Sequence, residues 1–277
     1  MAAGGHPMNL NKILLYLLLF ILTVIIAFPT YWLVIASFKI GGQAWLIPPK
    51  WFVEPNLTNY LKIFTLRPFA KYYLNSLIVV FATVSISLIL GIPAGYSLAR
   101  LQIRRKKDVL LFILSQLMLP PMAVVLPIYL LANKFGLMHS LTAVIICHIA
   151  FNLPFSIWLL REYFMGLPIE IEEAAMIEGC KPLKILTKII IPLSGPGIAT
   201  TAIFCAILSW NEYLYANVLT GPQTYTLPVT VASFWTQRLI IWGPMFAAGV
   251  MAVLPVVIMG VFIQKYLIKG LTLGAVQ

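Results

Sequence analysis

Four polar residues stand inside otherwise apolar runs of this chain: His148 and Asn152 in one run, Asn211 and Glu212 in another. Side chains of these types can pass a proton, hold a polar substrate or bond one helix to the next. Each is expensive to place in hydrocarbon, so each asks for a partner or a purpose. His148 and Asn152 are one helical turn apart and share a face. The pair reads as interhelical hydrogen bonding or as the lining of a pathway. Glu212 lies in Ser209-Trp210-Asn211-Glu212-Tyr213, in the outer third of its run, where Trp210, Tyr213 and Tyr215 suit a membrane interface. It reads either as a carboxylate solvated at that interface, or as one that faces a pathway or holds helices together with Asn211. Enzyme chemistry finds less support. The three His lie far apart and form no cluster of metal ligands, so no metal is expected. No Ser/His/Asp set stands out, and no Gly-x-x-x-x-Gly-Lys-Ser/Thr loop is present to cradle phosphates. The chain by itself is not expected to hydrolyse ATP.

A second polar stretch has a different character. Residues 166–192 carry an acidic segment, a glycine and a basic segment between two apolar runs. Pro168 suits the first position of a helix, and Glu170, Glu172 and Glu173 then sit near its positive end. Gly179 can adopt the left-handed conformation that ends such a helix. Pro182 opens a second helix, basic through Lys184 and Lys188, which is expected to stop at Pro192. The pattern predicts a helical hairpin outside a membrane, joined directly to the next span.

The elements that position these residues follow from composition. The 277-residue chain is 61% hydrophobic and only 10% charged, with a mean hydropathy of +0.96. Soluble domains carry about 25% charged residues, so an all-α integral membrane protein is expected. The net charge of +11 is explained by membrane orientation rather than by nucleic acid. Cys147, Cys180 and Cys205 lack paired spacing and are expected to be free thiols. The first apolar run is too long for a signal peptide and lacks a clear cleavage site. Residues 1–11 read as a short tail, 12–38 as the first span and 39–72 as an extracytoplasmic segment rich in Pro and aromatics. Residues 73–267 form a five-helix core that includes the 166–192 loop, and 268–277 a C-terminal tail. Within the core the spans are about 73–99, 109–132, 141–160, 195–219 and 244–267, each long enough to cross roughly 30 Å of hydrocarbon. Arg100, Arg104, Arg105, Lys106 and Lys107 directly follow the second span and mark that side as cytoplasmic. Both termini and the 166–192 loop are then cytoplasmic. No internal repeat is evident.

The residue pattern Glu173-Ala174-Ala175, Gly179, Ile189, Ile191-Pro192 resembles the EAA loop of ABC-importer permeases, with Ile191 where that family usually has Leu. Trp210-Asn211-Glu212 is similar to a stretch of its carbohydrate permeases. The ending Gly270-Leu271-Thr272-Leu273-Gly274-Ala275-Val276 resembles that of the smaller, maltose-type permease. The resemblance implies six transmembrane helices in a type I importer bundle of a bacterial or archaeal cytoplasmic membrane. It also implies a homologous second permease, two ATPase subunits that carry ATP and Mg, and an extracytoplasmic solute-binding protein delivering a carbohydrate. The 168–178 helix would dock in a cleft on an ATPase subunit, with Glu172, Glu173, Ala174, Ala175, Gly179, Ile189 and Pro192 as coupling residues, passing motion into the fifth span. Asn211, Glu212, His148 and Asn152 are the pathway candidates. An ion-driven secondary transporter relaying protons through Glu212 and His148 is the alternative, which six spans without a repeat suit poorly. A membrane-embedded enzyme is a third reading, without a catalytic constellation to support it.

Overall fold

Apolar runs of this length can satisfy their backbone groups in a bilayer only by coiling into helices. In the computed structural model the described residues are 10–274, apart from 42, 44, 45 and 236–240, with side chains described through Gln264. Four helices are long and apolar enough to cross a membrane: α1 (Leu10–Phe38), α3 (Phe69–Arg100), α6 (Leu141–Met165) and α13 (Trp242–Gly274), the last over Trp242–Gln264. Two further spans are bent pairs. Helices α4 (Lys106–Leu117) and α5 (Pro121–Lys134) meet at 91°, and residues 182–193 meet α10 (Gly195–Asn211) at 78°. Counting each pair once gives six candidate spans by length and composition, the number expected, although the second pair begins in the hairpin rather than at 195.

The differences from the expected spans have local causes. The third span breaks because Pro121 forces Pro120 into an extended conformation (ψ 126°), which ends α4 and starts α5 afresh. The fifth span breaks at Glu212, which is also extended (ψ 124°), leaving the short α11 (Leu214–Leu219) beyond it. Residues 268–274, expected as tail, continue α13; the last three lie outside the described residues, as do 1–9 of the N-terminal tail.

The described residues form two compact units, residues 1–67 with 234–251 and residues 68–233 with 252–277. In the first, α1 meets the small helix α2 (Thr58–Leu66). Asn59 Nδ2 donates to the carbonyls of Ser37 and Lys39, both at 2.8 Å, and so satisfies orphan acceptors at the end of α1. Tyr31 donates to the Trp51 carbonyl, and Trp51 packs edge-on to Trp32. The Lys39 ammonium lies 4.0 Å over the Trp32 ring, and burial lowers its pKa.

The second unit is built on α3 and α6. Ser87, Gly91 and Gly95 recur every four residues and form one buried face of α3. A Cβ added at Gly91 would stand 2.5 Å from Ser156 Oγ, and one at Gly95 3.2 Å from backbone atoms of Ile157 and Arg161. The two helices therefore approach at a distance that small residues permit. Likewise, the Tyr163 ring occupies the space a side chain at Gly197 would need, seating α10 against α6. Trp210 Nε1 donates to the Ala252 carbonyl in α13.

Candidate functional site

The 166–192 stretch folds as a hairpin. Its first arm, α7 (Glu170–Ile177), begins two residues after Pro168, slightly later than expected. Glu170, Glu172 and Glu173 occupy its first turn. Gly179 has φ +82°; its N–H bonds to the Met176 carbonyl, and the Cys180 N–H to that of Ala175. This pair of hydrogen bonds around a left-handed residue is the Schellman end of a helix. The second arm starts at Pro182 as α8 (Pro182–Ile185), widens to a π-helical turn over Leu186–Ile190 and closes with α9 (Ile191–Leu193). It does not stop at Pro192. The wide turn accommodates a residue that has no N–H to return, and the chain turns only at Ser194.

The arms are fastened to the bundle from within. Ala175, Ile185, Leu186 and Ile190 share a core with Tyr96 of α3 and with Leu160 and Phe164 of α6. Glu172, 1% exposed, has both carboxylate oxygens engaged: Arg100 Nε donates to Oε1 at 2.6 Å and Tyr96 Oη to Oε2 at 2.7 Å. Arg100 Nη2 donates in turn to the Leu167 carbonyl at 2.7 Å. Of the expected coupling residues, Glu173, Ala174, Gly179 and Pro192 are exposed, Ile189 is half-buried, and Glu172 and Ala175 face inward. The outer surface of the hairpin presents Glu170, Glu173, Met176 and Ile177, the last 88% exposed. It is acidic and apolar together.

The intramembrane candidates divide differently. His148 is 1% exposed and bridges α6 to the break after α10. Its Nδ1 is 2.7 Å from Ser209 Oγ and its Nε2 3.1 Å from Glu212 Oε2. Glu212 also accepts the N–H groups of Tyr215 and Ala216, at 2.8 and 3.0 Å. A carboxylate accepting on both oxygens calls for a donor at Nε2 of His148. Asn152 lies on the same face as His148, as the spacing predicts, and donates to its carbonyl. Its own Oδ1 is buried without a hydrogen-bond partner. Asn211 does not join them: it is exposed and donates back to the Ile207 carbonyl.

Sequence reasoning missed a third cluster. The segment 220–232, ending in α12 (Leu227–Ala232), is fixed to the start of α3. Tyr72 Oη donates to the Pro222 carbonyl, Asn75 Nδ2 to that of Tyr225, and Leu227 N–H to Ser76 Oγ. Lys71 Nζ adds a bond to Gln223. The only advance signal was the row of polar residues Lys71, Tyr72, Asn75 and Ser76, spaced at helical intervals at the start of an apolar run.

Residues 91–273 match the family model described as binding-protein-dependent transport system inner membrane component. The chain is 34% identical to a probable ABC transporter permease protein, y4oR, of Sinorhizobium fredii, covering 100% of both chains. It is also 34% identical to the trehalose/maltose transport system permease protein MalG of Thermococcus litoralis, over 97% of this chain and 98% of that one. Among solved structures, it superposes with a TM-score of 0.79 and 25% identity on a chain of a bacterial ABC transporter involved in the import of the acidic polysaccharide alginate, covering 95% and 99% of the two chains. A hairpin carrying the EAA-like residues, among helices that include up to six candidate spans, stands within a chain matched along nearly its whole length. The protein belongs to the family of binding-protein-dependent transport system inner membrane components, as an ABC-importer permease subunit.

Proposed function

We propose that this chain is a membrane-spanning subunit of an ATP-driven importer that takes up a carbohydrate handed over by a solute-binding protein. The single observation that carries the coupling role is the hairpin: its inner side is bolted to α3 and α6, while its outer side offers Glu173, Ala174, Met176 and Ile177. The relatives are named for trehalose/maltose, diacetylchitobiose and sulfoquinovosyl glycerol transport, which supports a glycoside or sugar derivative as cargo.

In this reading both termini and the hairpin are cytoplasmic, a second permease completes the pathway, and two ATPase subunits bind ATP and Mg. Closure of the ATPases moves the hairpin, and the bundle switches its access from one side to the other by favouring one of two states. Glu173, beside small Ala174, meets the ATPase surface. Glu212 and His148, the pair an ion-driven transporter would use, instead fasten the α10–α11 break in this reading. Asn211, exposed beside them, remains the pathway candidate of the four.

The test is purification of the tagged chain in mild detergent, with mass spectrometry of what accompanies it, repeated with Glu173→Lys. An ATPase present with the native chain and lost from the variant supports docking through α7. An ATPase that never appears beside a folded native chain would remove the coupling reading.

A further inference from the structure

The route from the hairpin to the bundle is expected from sequence to follow the chain: through Pro192 and into α10. That route turns through 78° at Ser194. A shorter one leaves the hairpin sideways. Glu172 is one of the most deeply buried charged residues described, at 1% exposed, and its carboxylate is held by two groups of a single helix, Tyr96 and Arg100 of α3. Arg100 grips a third point, the Leu167 carbonyl at the entry to the hairpin. The guanidinium fork thus binds the start of the hairpin and its first helix at once, which a point charge on a flexible stem would not reproduce. Tyr96 is also seated edge-on to Phe164 of α6, with ring centroids 6.1 Å apart.

The other end of α3 is equally fixed. Lys71, Tyr72, Asn75 and Ser76 hold residues 222–227. Both anchor sets lie on the one helix α3, and the stretch between Ser76 and Tyr96 is about 30 Å long at 1.5 Å per residue. It is packed on α6 at glycine contact distance. Resting on the coupling reading above, we infer that Arg100 and Tyr96, through Glu172, are the positioning residues that make α3 a lever, carrying hairpin displacement to the 222–227 segment. Glu172 on this account serves inside the chain, and Glu173 alone of the adjacent pair faces outward.

The experiment uses the assembled complex in proteoliposomes and reads sugar transported per ATP hydrolysed, together with ATPase retention. The variants are Arg100→Lys, Tyr96→Phe, Glu172→Gln, and Arg100→Gln alone and combined with Glu172→Gln. Arg100→Lys and Tyr96→Phe keep the charge and the ring, so they guard against simple misfolding. Arg100→Lys is expected to lower transport per ATP about tenfold with the ATPase still bound, a size typical of residues that carry coupling between sites. Arg100→Gln and Glu172→Gln should be non-additive, the double variant being no worse than the more severe single one. Unchanged transport per ATP in both Arg100→Lys and Tyr96→Phe overturns the inference. So does loss of the ATPase from either, which would make the tie a support for docking alone. A native complex whose transport ignores ATP would instead sink the coupling reading itself, an outcome visible before any variant is made.

Discussion

His148 Nε2 stands 3.1 Å from the carboxylate of Glu212, and the same carboxylate caps α11 through the N–H groups of Tyr215 and Ala216. One side chain therefore closes the gap in the fifth span and ties that gap to α6. Replacing Glu212 with Ala removes a cap, worth about 1 kcal/mol, and leaves buried His148 without its acceptor, about 1–3 kcal/mol more. Glu212→Gln keeps one of the two accepting oxygens and so part of these bonds, and is expected to lose less. Thermal unfolding in detergent, followed by intrinsic fluorescence, should rank native above Glu212→Gln above Glu212→Ala. Full stability in Glu212→Ala with weakened sugar binding would point to a pathway role instead.

The α3–α6 crossing makes a pairwise prediction. Gly91→Ala pushes a methyl group to 2.5 Å from Ser156 Oγ, an overpacking expected to cost about 1–3 kcal/mol. Adding Ser156→Ala removes the offending oxygen, although it also removes the Ser156 bonds to the Ser87 and Leu153 carbonyls. The double variant should be more stable than Gly91→Ala alone. Equal or worse stability in the double variant would mean that these carbonyl bonds outweigh the close approach.

Gly179 tests the hairpin turn without a clash inside the chain, because no described atom of the chain lies within 4 Å of where its Cβ would be. Its φ of +82° is the constraint. Asn tolerates that region best among the replacements and Val worst, with strain of about 1–3 kcal/mol. Transport per ATP should fall in the order Gly, Asn, Ala, Val. A flat series would show that the turn can relax without disturbing coupling.

Much of this was legible because it is local. The lengths of α1, α3 and α6 follow from unbroken apolar runs, and the hairpin from Pro, Glu and Gly within a dozen positions. The tie between Arg100 and Glu172 was not, since it joins residues 72 apart through a fold that must form first. In the sequence Arg100 is one more charge marking the cytoplasmic side. The glycine spacing of Ser87, Gly91 and Gly95 carried a crossing signal that composition alone hid. Pro120-Pro121 announced a break, but the 91° turn depends on what the two arms pack against. For the segment 220–232, no periodic pattern was strong enough to reveal a short helix held by side chains from α3.

The right angle between α4 and α5 bears on how the chain enters a bilayer. With 12 and 14 residues, the arms are about 18 and 21 Å long, and neither reaches across roughly 30 Å of hydrocarbon. Residues 106–134 are therefore expected to enter the bilayer as one stretch, with the bend set by the helices that pack against it. A nascent chain ending at Leu119 should leave α4 unintegrated, whereas one ending at Lys134 should integrate, and a glycosylation or protease reporter fused at each point distinguishes the two.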